Sequence, residues 1–267
     1  MTVSELAAAS RSYVFGKMRR VEGYLDPCDA LVYQTVLLHQ LGQGYQGGGV
    51  EIGVLYGRSF FLMRQLMPEC RLLAIDNFNT GRRADGSSAQ KETFLRLAER
   101  FGGPLEPDLV VEGDSTEMEA HLIAEKLGPV RFFSIDGGHH LRHVRHDSAL
   151  AAEVLSAEGV IVFDDFCNFE WPEVSAGAFD FLRQHPEEFA PFAVTPKKLY
   201  VCRSAVQAAY LASVREAPGL SGFVREGRGL LGTQIIAVKH PMRKRLVYEA
   251  LSRVGLGFVA GLLYPSG

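Results

Sequence analysis

From Ser4 to Leu41 the chain reads as helical. After Asp26-Pro27, the apolar or short side chains Leu31, Val32, Thr35, Val36, Leu38 and Leu41 fall at the three- and four-residue spacings of one helix face. The glycine-rich run 42–49 ends that segment. Beyond it, short apolar runs alternate with amphipathic stretches. Runs at 49–54 (GVEIGV), 71–76 (RLLAID), 108–112 (DLVVE), 131–135 (RFFSI) and 159–164 (GVIVFD) predict strands. Helical periodicity lies between them, from Ser59, at 90–101, at 116–127 and at 140–156. After Asp165 come a helix near 173–184 and two further strands, 198–203 (KLYVCR) and 233–239 (TQIIAVK), with a polar, glycine-containing stretch between these strands.

Strands alternating with helices predict an α/β architecture: a doubly wound, Rossmann-like, mostly parallel seven-stranded sheet with helices on both faces. An N-terminal helical segment (1–41) would precede the Rossmann-like domain (42–240), and an apolar helical tail (241–267) would follow it. The tail sets Arg243-Lys244-Arg245 before LVYEALSRVGLGFVAGLLY, too short and glycine-broken to span a bilayer. It reads as an oligomer contact or helical cap in preference to a membrane-surface helix, so a homo-oligomer is expected.

The 28 Lys+Arg against 31 Asp+Glu leave a net charge of −3, which argues against a dedicated nucleic-acid binder and for a small-molecule partner. Cys28, Cys70, Cys167 and Cys202 form no CxxC pair, and the first twenty residues lack the apolar core of a signal peptide. A cytoplasmic protein is expected.

In an open parallel sheet, ligands bind beyond the carboxyl ends of the strands. The first strand ends in Glu51-Ile52-Gly53-Val54-Leu55-Tyr56-Gly57-Arg58-Ser59, where two glycines allow a tight turn and Ser59 can cap a helix whose free N–H groups suit an anion. This is not GxGxxG, so hydride transfer loses its main support. Asp76, about 20 residues on, can accept bonds from ribose hydroxyls or serve as a surface cap. Asp114 and Ser115 can bind an adenine edge or N-cap the next helix. The fourth and fifth strands end in Asp136-Gly137-Gly138-His139 and Asp164-Asp165. Three converging carboxylates call for a compensating cation, and oxygen-rich sites suit Mg²⁺, Mn²⁺ or Ca²⁺. The histidines at 139, 140, 143 and 146 raise a zinc alternative, disfavoured without cysteine; we read one functional His139 and a solvated helix face. A neutral imidazole beside a metal-bound hydroxyl can act as general base.

The succession EIGVLYGRS, LLAIDNF, EGDSTE, FFSIDGGHHLRHVRHD and GVIVFDDF resembles the class I S-adenosylmethionine-dependent methyltransferases, and within them the metal-dependent small-molecule O-methyltransferases, including the macrolide-sugar enzymes and the cephalosporin-hydroxylase-like group. The likeness runs from about Gly23 to Phe166 and is most specific at IDGGHH and FDDF. It implies that Glu51, Gly53, Leu55, Gly57 and Ser59 surround the methionine end of the cofactor, that Asp76 holds the ribose, and that Asp114, Ser115 and Asp136 lie along the remainder. It further implies metal ligands Asp136, Asp164 and Asp165 and a base at His139. Leu141 stands where the family often has tyrosine. The loop 77–90, with Arg82 and Arg83, and the region of Trp171 occupy places where such enzymes hold substrate. The expected activity is therefore O-methylation of a sugar, phenol or natural product using S-adenosylmethionine and a divalent metal. Rival readings are a nucleotide-dependent oxidoreductase and a non-catalytic cofactor-binding scaffold.

Overall fold

Residues 1–265 are described by a computed structural model; residues 266 and 267 of the expected tail lie outside them. The N-terminal segment is two helices, not one. Helix α1 (Val3–Ser12) passes through a π-helical turn (Tyr13–Lys17) and a 3₁₀ turn (Met18–Arg20), and α2 (Pro27–Gly42) follows. Asp26 caps α2 by accepting bonds from the N–H groups of Cys28 (2.7 Å) and Asp29 (3.0 Å), and Pro27 fills the first helical position, where no N–H is needed.

The sheet then assembles from β1 (Gly48–Ile52), β2 (Leu72–Asp76), β3 (Val110–Glu112), β4 (Val130–Ile135) and β5 (Leu155–Phe163). Helices α3 (Arg58–Leu66), α4 (Ala89–Phe101), α5 (Ala120–Leu127) and α6 (Leu141–Val154) connect them. After β5 come α7 (Pro172–Gln184), β6 (Phe189–Val194), β7 (Leu199–Arg203), α8 (Gln207–Glu216), β8 (Val224–Leu230) and β9 (Thr233–Val238). Helices α9 (Met242–Arg253) and α10 (Gly257–Ala260) form the tail.

The sheet has nine strands, not the expected seven, in the order β3-β2-β1-β4-β5-β7-β6-β9-β8. The first five strands are parallel throughout, whereas β5/β7, β6/β7 and β8/β9 are antiparallel. Both additional strands lack the signal that marks the others. In β6, Pro191 interrupts the apolar run, and the β6/β7 register shifts there because proline has no N–H for the ladder. In β8 (VREGRGL) the side chains are mostly exposed and no apolar face exists to read. Helix α8 likewise occupies part of the stretch that reads as polar and irregular.

Alternation along each strand feeds two cores. Phe132 of β4 points to the layer with α2, α3 and α4, where Tyr33, Phe60, Phe61 and Phe94 are fully buried; Phe133 and Ile135 point to the layer of α6 and α7. Each such ring contributes on the order of 2–3 kcal/mol by leaving water. The strand order reverses between β1 and β4, and a crevice must open beyond their carboxyl ends.

Candidate active site

That crevice is a cleft of roughly 500 Å³. Gly53, Leu55, Asp76, Asp114, Ser115, Asp136, His139 and Asp165 all line it; Glu51, Gly57, Ser59 and Asp164 do not. The turn after β1 depends on glycine. Gly53 has φ +84°, and a Cβ there would lie 1.8 Å from the Asp136 carbonyl oxygen, so β1 and β4 approach too closely for any side chain. Gly57 (φ +92°) is the N-cap of α3, and Ser59 lies in the helix's first turn. Backbone strain gathers around the same rim. Of five non-glycine residues with positive φ among the described residues, Leu55, Phe78, Asp165 and Cys167 follow β1, β2 and β5. Each costs about 1–3 kcal/mol that surrounding structure must offset, a pattern common at binding sites.

Asp76 organises the adjoining loop. Its Oδ2 accepts a bond from the Leu55 N–H (2.8 Å), while Oδ1 accepts from the Phe78 N–H (2.7 Å) and from Gln90 Nε2 (3.2 Å). Burial raises its pKa, and these donors oppose the rise. Gln90, nearly buried, also bonds the Leu55 carbonyl and the Thr80 N–H, which makes it a cleft residue that no sequence motif marked. Asp114 caps the 3₁₀ turn at Ser115–Glu117 by accepting bonds from the Thr116 N–H and hydroxyl, both 2.9 Å, so the capping alternative holds whatever else it does. Arg82 and Arg83 are committed elsewhere, to Glu112 (2.7 Å) and Glu92 (2.8 Å).

At the other wall, His139 stacks on Trp171 with ring centroids 4.4 Å apart and planes 16° apart. Its Nε2 lies 3.1 Å from Asp165 Oδ2 and 4.0 Å from Asp136 Oδ1. Asp136, His139 and Asp165 each present one candidate ligand atom, all within 4.8 Å of one another. Burial works to raise Asp165, but the neighbouring His139, the hydrogen bond from Asn168 and the charge of Lys197 outweigh it and hold the carboxyl at about 2. Asp136 is pushed well above the usual carboxylate range by burial and by the neighbouring Asp164, with Lys198 opposing.

Asp164 is not one of the three, although it neighbours Asp136. Its Oδ2 pairs with the ammonium of Lys198, a residue only 3% exposed, and its Oδ1 accepts the Asp165 N–H (2.8 Å). Behind the cleft floor, burial pushes Glu51 up to about 7, tempered by the Ser59 hydroxyl and by Lys198. Lys198 carries no motif, and nothing local in the sequence could have marked it, because its partner follows another strand, 34 residues away. The histidine helix departs from the expected solvated face: His143 is buried, lines the cleft and sits 3.7 Å from Asp114, whereas His140 is exposed.

Residues 50–166, from β1 to the turn after β5, match the family model described as a methyltransferase domain. No curated protein sequence matches significantly. Among solved structures, the O-methyltransferase NovP is 14% identical over 66% of this chain and 80% of its own, with TM-score 0.47. CalS11, a TDP-rhamnose 3'-O-methyltransferase of calicheamicin biosynthesis, is 19% identical over 65% of this chain and 76% of its own, at 0.47. MycE of the mycinamycin pathway, solved with Mg and SAH, is 18% identical over 75% of this chain and 54% of its own, at 0.48. At such identities and TM-scores these likenesses carry no argument about chemistry. The matched segment, residues 50–166, contains every strand end that builds the cleft, and over that span the chain is similar to the methyltransferase-domain family.

Proposed function

We propose that the protein transfers the methyl group of S-adenosylmethionine to a hydroxyl oxygen of a small metabolite, a sugar, phenol or natural product, with a divalent metal in the cleft. The observation that carries this reading is the His139 imidazole, held between Trp171, Asp136 and Asp165 inside the cleft of the family-matched segment.

The cleft fits a cationic nucleoside cofactor. Glu51, Asp136 and Asp164 are carboxyls near one buried ammonium, Lys198, so the floor favours additional positive charge such as a sulfonium. Gly53 keeps the β1–β4 crevice free of side chain. Asp76 Oδ2 has a single loop bond and capacity for one more donor, so it would take one ribose hydroxyl, not both. S-adenosylmethionine supplies an electrophilic methyl group; in the reaction the S–CH₃ bond breaks as an O–CH₃ bond forms.

The carboxylates of Asp136 and Asp165 also fit a divalent ion, which leaves the His139 imidazole free to act as a base. Asp136 and Asp165 would hold it, and it would lower the pKa of an acceptor hydroxyl as a Lewis acid. Asp164, expected among the ligands, would stand behind Asp136 as the partner of Lys198. His139 takes the hydroxyl proton, and the Asp165 carboxylate, 3.1 Å from its Nε2, stabilises the imidazolium. Trp171 fixes the ring plane and excludes water from one face.

The test is calorimetric titration of S-adenosylmethionine and S-adenosylhomocysteine into chelator-treated protein, repeated with Mg²⁺ or Mn²⁺. Micromolar binding, roughly −8 kcal/mol, is expected. Absence of binding with and without metal overturns the reading.

A further inference from the structure

The tail presents an apolar, basic face that nothing among the described residues covers. It is firmly docked on its other side. Tyr264 and Tyr248 pack on Phe15 with centroids 4.7 and 6.1 Å away, His240 Nε2 meets the Tyr264 hydroxyl at 2.6 Å, and the Arg11 guanidinium donates to the carbonyls of Gly261 (2.7 Å) and Tyr264 (2.8 Å). The exposed side is therefore a surface of the folded molecule and not an undocked end.

On α9, Met242, Leu246 and Ala250 follow at four-residue intervals on the outer face, with Val247 and Val254 beside them, all exposed. The surface continues through Phe258 (61% exposed) and Leu262 (84%). Soluble proteins rarely leave so many large apolar groups together without a use for them. Charge decides the use. Residues 241–265 hold Arg243, Lys244, Arg245 and Arg253 against Glu249 alone, a local net of +3 in a chain whose total is −3. Arg19 lies over the Tyr248 ring at 5.7 Å, and Lys17 and Arg20 flank it, exposed, on the adjoining turns.

We propose that this face of α9 and α10 docks on an anionic lipid bilayer, the apolar groups entering the interface and the basic groups meeting lipid phosphates. A second copy of the chain is the poorer occupant. A two-fold contact would set the exposed Arg243 and Arg253 close to their own copies, whereas an anionic surface attracts both. No helix among the described residues is long and apolar enough to cross a membrane.

Sedimentation of the full-length protein with vesicles tests this, comparing phosphatidylcholine alone with phosphatidylcholine mixed with phosphatidylglycerol. Binding to the anionic vesicles is expected, weakened by salt. The double variant Arg243→Ser/Arg253→Ser should lower partitioning about thirty-fold, from roughly 1 kcal/mol per basic group at the surface. Leu246→Glu with Leu262→Glu should abolish it while the melting temperature stays unchanged, since both side chains are exposed. No preference for anionic vesicles, equal partitioning of the variants, or a dimer in sedimentation velocity that Leu246→Glu dissociates would each overturn the proposal.

Discussion

His139 and Lys198 show how differently single residues reveal their roles. His139 announces itself through the adjacent Asp136-Gly137-Gly138 turn, and the structure sets it against Trp171 and Asp165. Replacing it with alanine should lower turnover by about 10²- to 10⁴-fold, the usual worth of a positioned proton acceptor, with cofactor affinity nearly unchanged. Steady-state rates alongside calorimetry check this; an unaltered rate removes the base role. Lys198 is silent in the sequence, because a buried lysine follows from a tertiary pairing and not from any periodicity. Lys198→Met would leave Asp164 buried without its partner and should cost about 3–5 kcal/mol in urea unfolding. The double variant Lys198→Met/Asp164→Leu should recover most of that loss, since two apolar groups replace an isolated charge. A single variant as stable as the parent would mean that the pair holds nothing in place.

At the scale of elements, the turn after β1 carries the most consequence. Gly53→Ala would drive a methyl group into the Asp136 carbonyl and force a positive φ on alanine. The variant should lose several kcal/mol of stability and bind cofactor poorly, whereas Gly44→Ala, with open space around it, should lose only the cost of its positive φ. Thermal melts of the two variants make the comparison. The same turn explains what the sequence could show. Strands β1, β2 and β4, and β5 from Gly159 on, are buried on both faces and read as apolar runs, so their carboxyl ends, and with them Asp76, Asp136 and Asp165, were legible. Strands β6 and β8 were not, one broken by Pro191 and the other solvated. The pairing of Asp164 was equally hidden, because the apolar runs mark β5 and β7 as strands but not that they pair antiparallel, which brings Lys198 beside Asp164. Adjacent aspartates look alike in sequence; φ +53° at Asp165 turns one toward the cleft while the other stays with the lysine.

At the scale of the whole molecule, the buried acids govern how stability depends on pH. Burial pushes Glu51 and Asp29 up to about 7, from ordinary values of 4.5 and 3.8. Between about pH 4.5 and 7 the folded chain therefore retains protons that the unfolded chain has released. Stability falls as pH rises through that window and levels off above it. Asp165, held at about 2, acts oppositely, and its contribution is lost only as pH falls below about 4. The urea midpoint should thus be lower at pH 7.5 than at pH 5.5, and Glu51→Gln should flatten the difference by up to about 2 kcal/mol. A parent profile that rises across this window would contradict the burial of these carboxyls.

The two ends of the sheet also decide how the molecule behaves in a crowded solution. Strand β3 has only three residues, and β8, at the opposite edge, carries Arg225, Glu226 and Arg228 with glycines between them. Neither border offers a long, flat, apolar template for another chain's backbone. Ordered stacking into fibrils is accordingly blocked at both margins, so heating or mutation should produce amorphous precipitate from exposed core, without the cross-β signature that an unguarded nine-stranded sheet would invite.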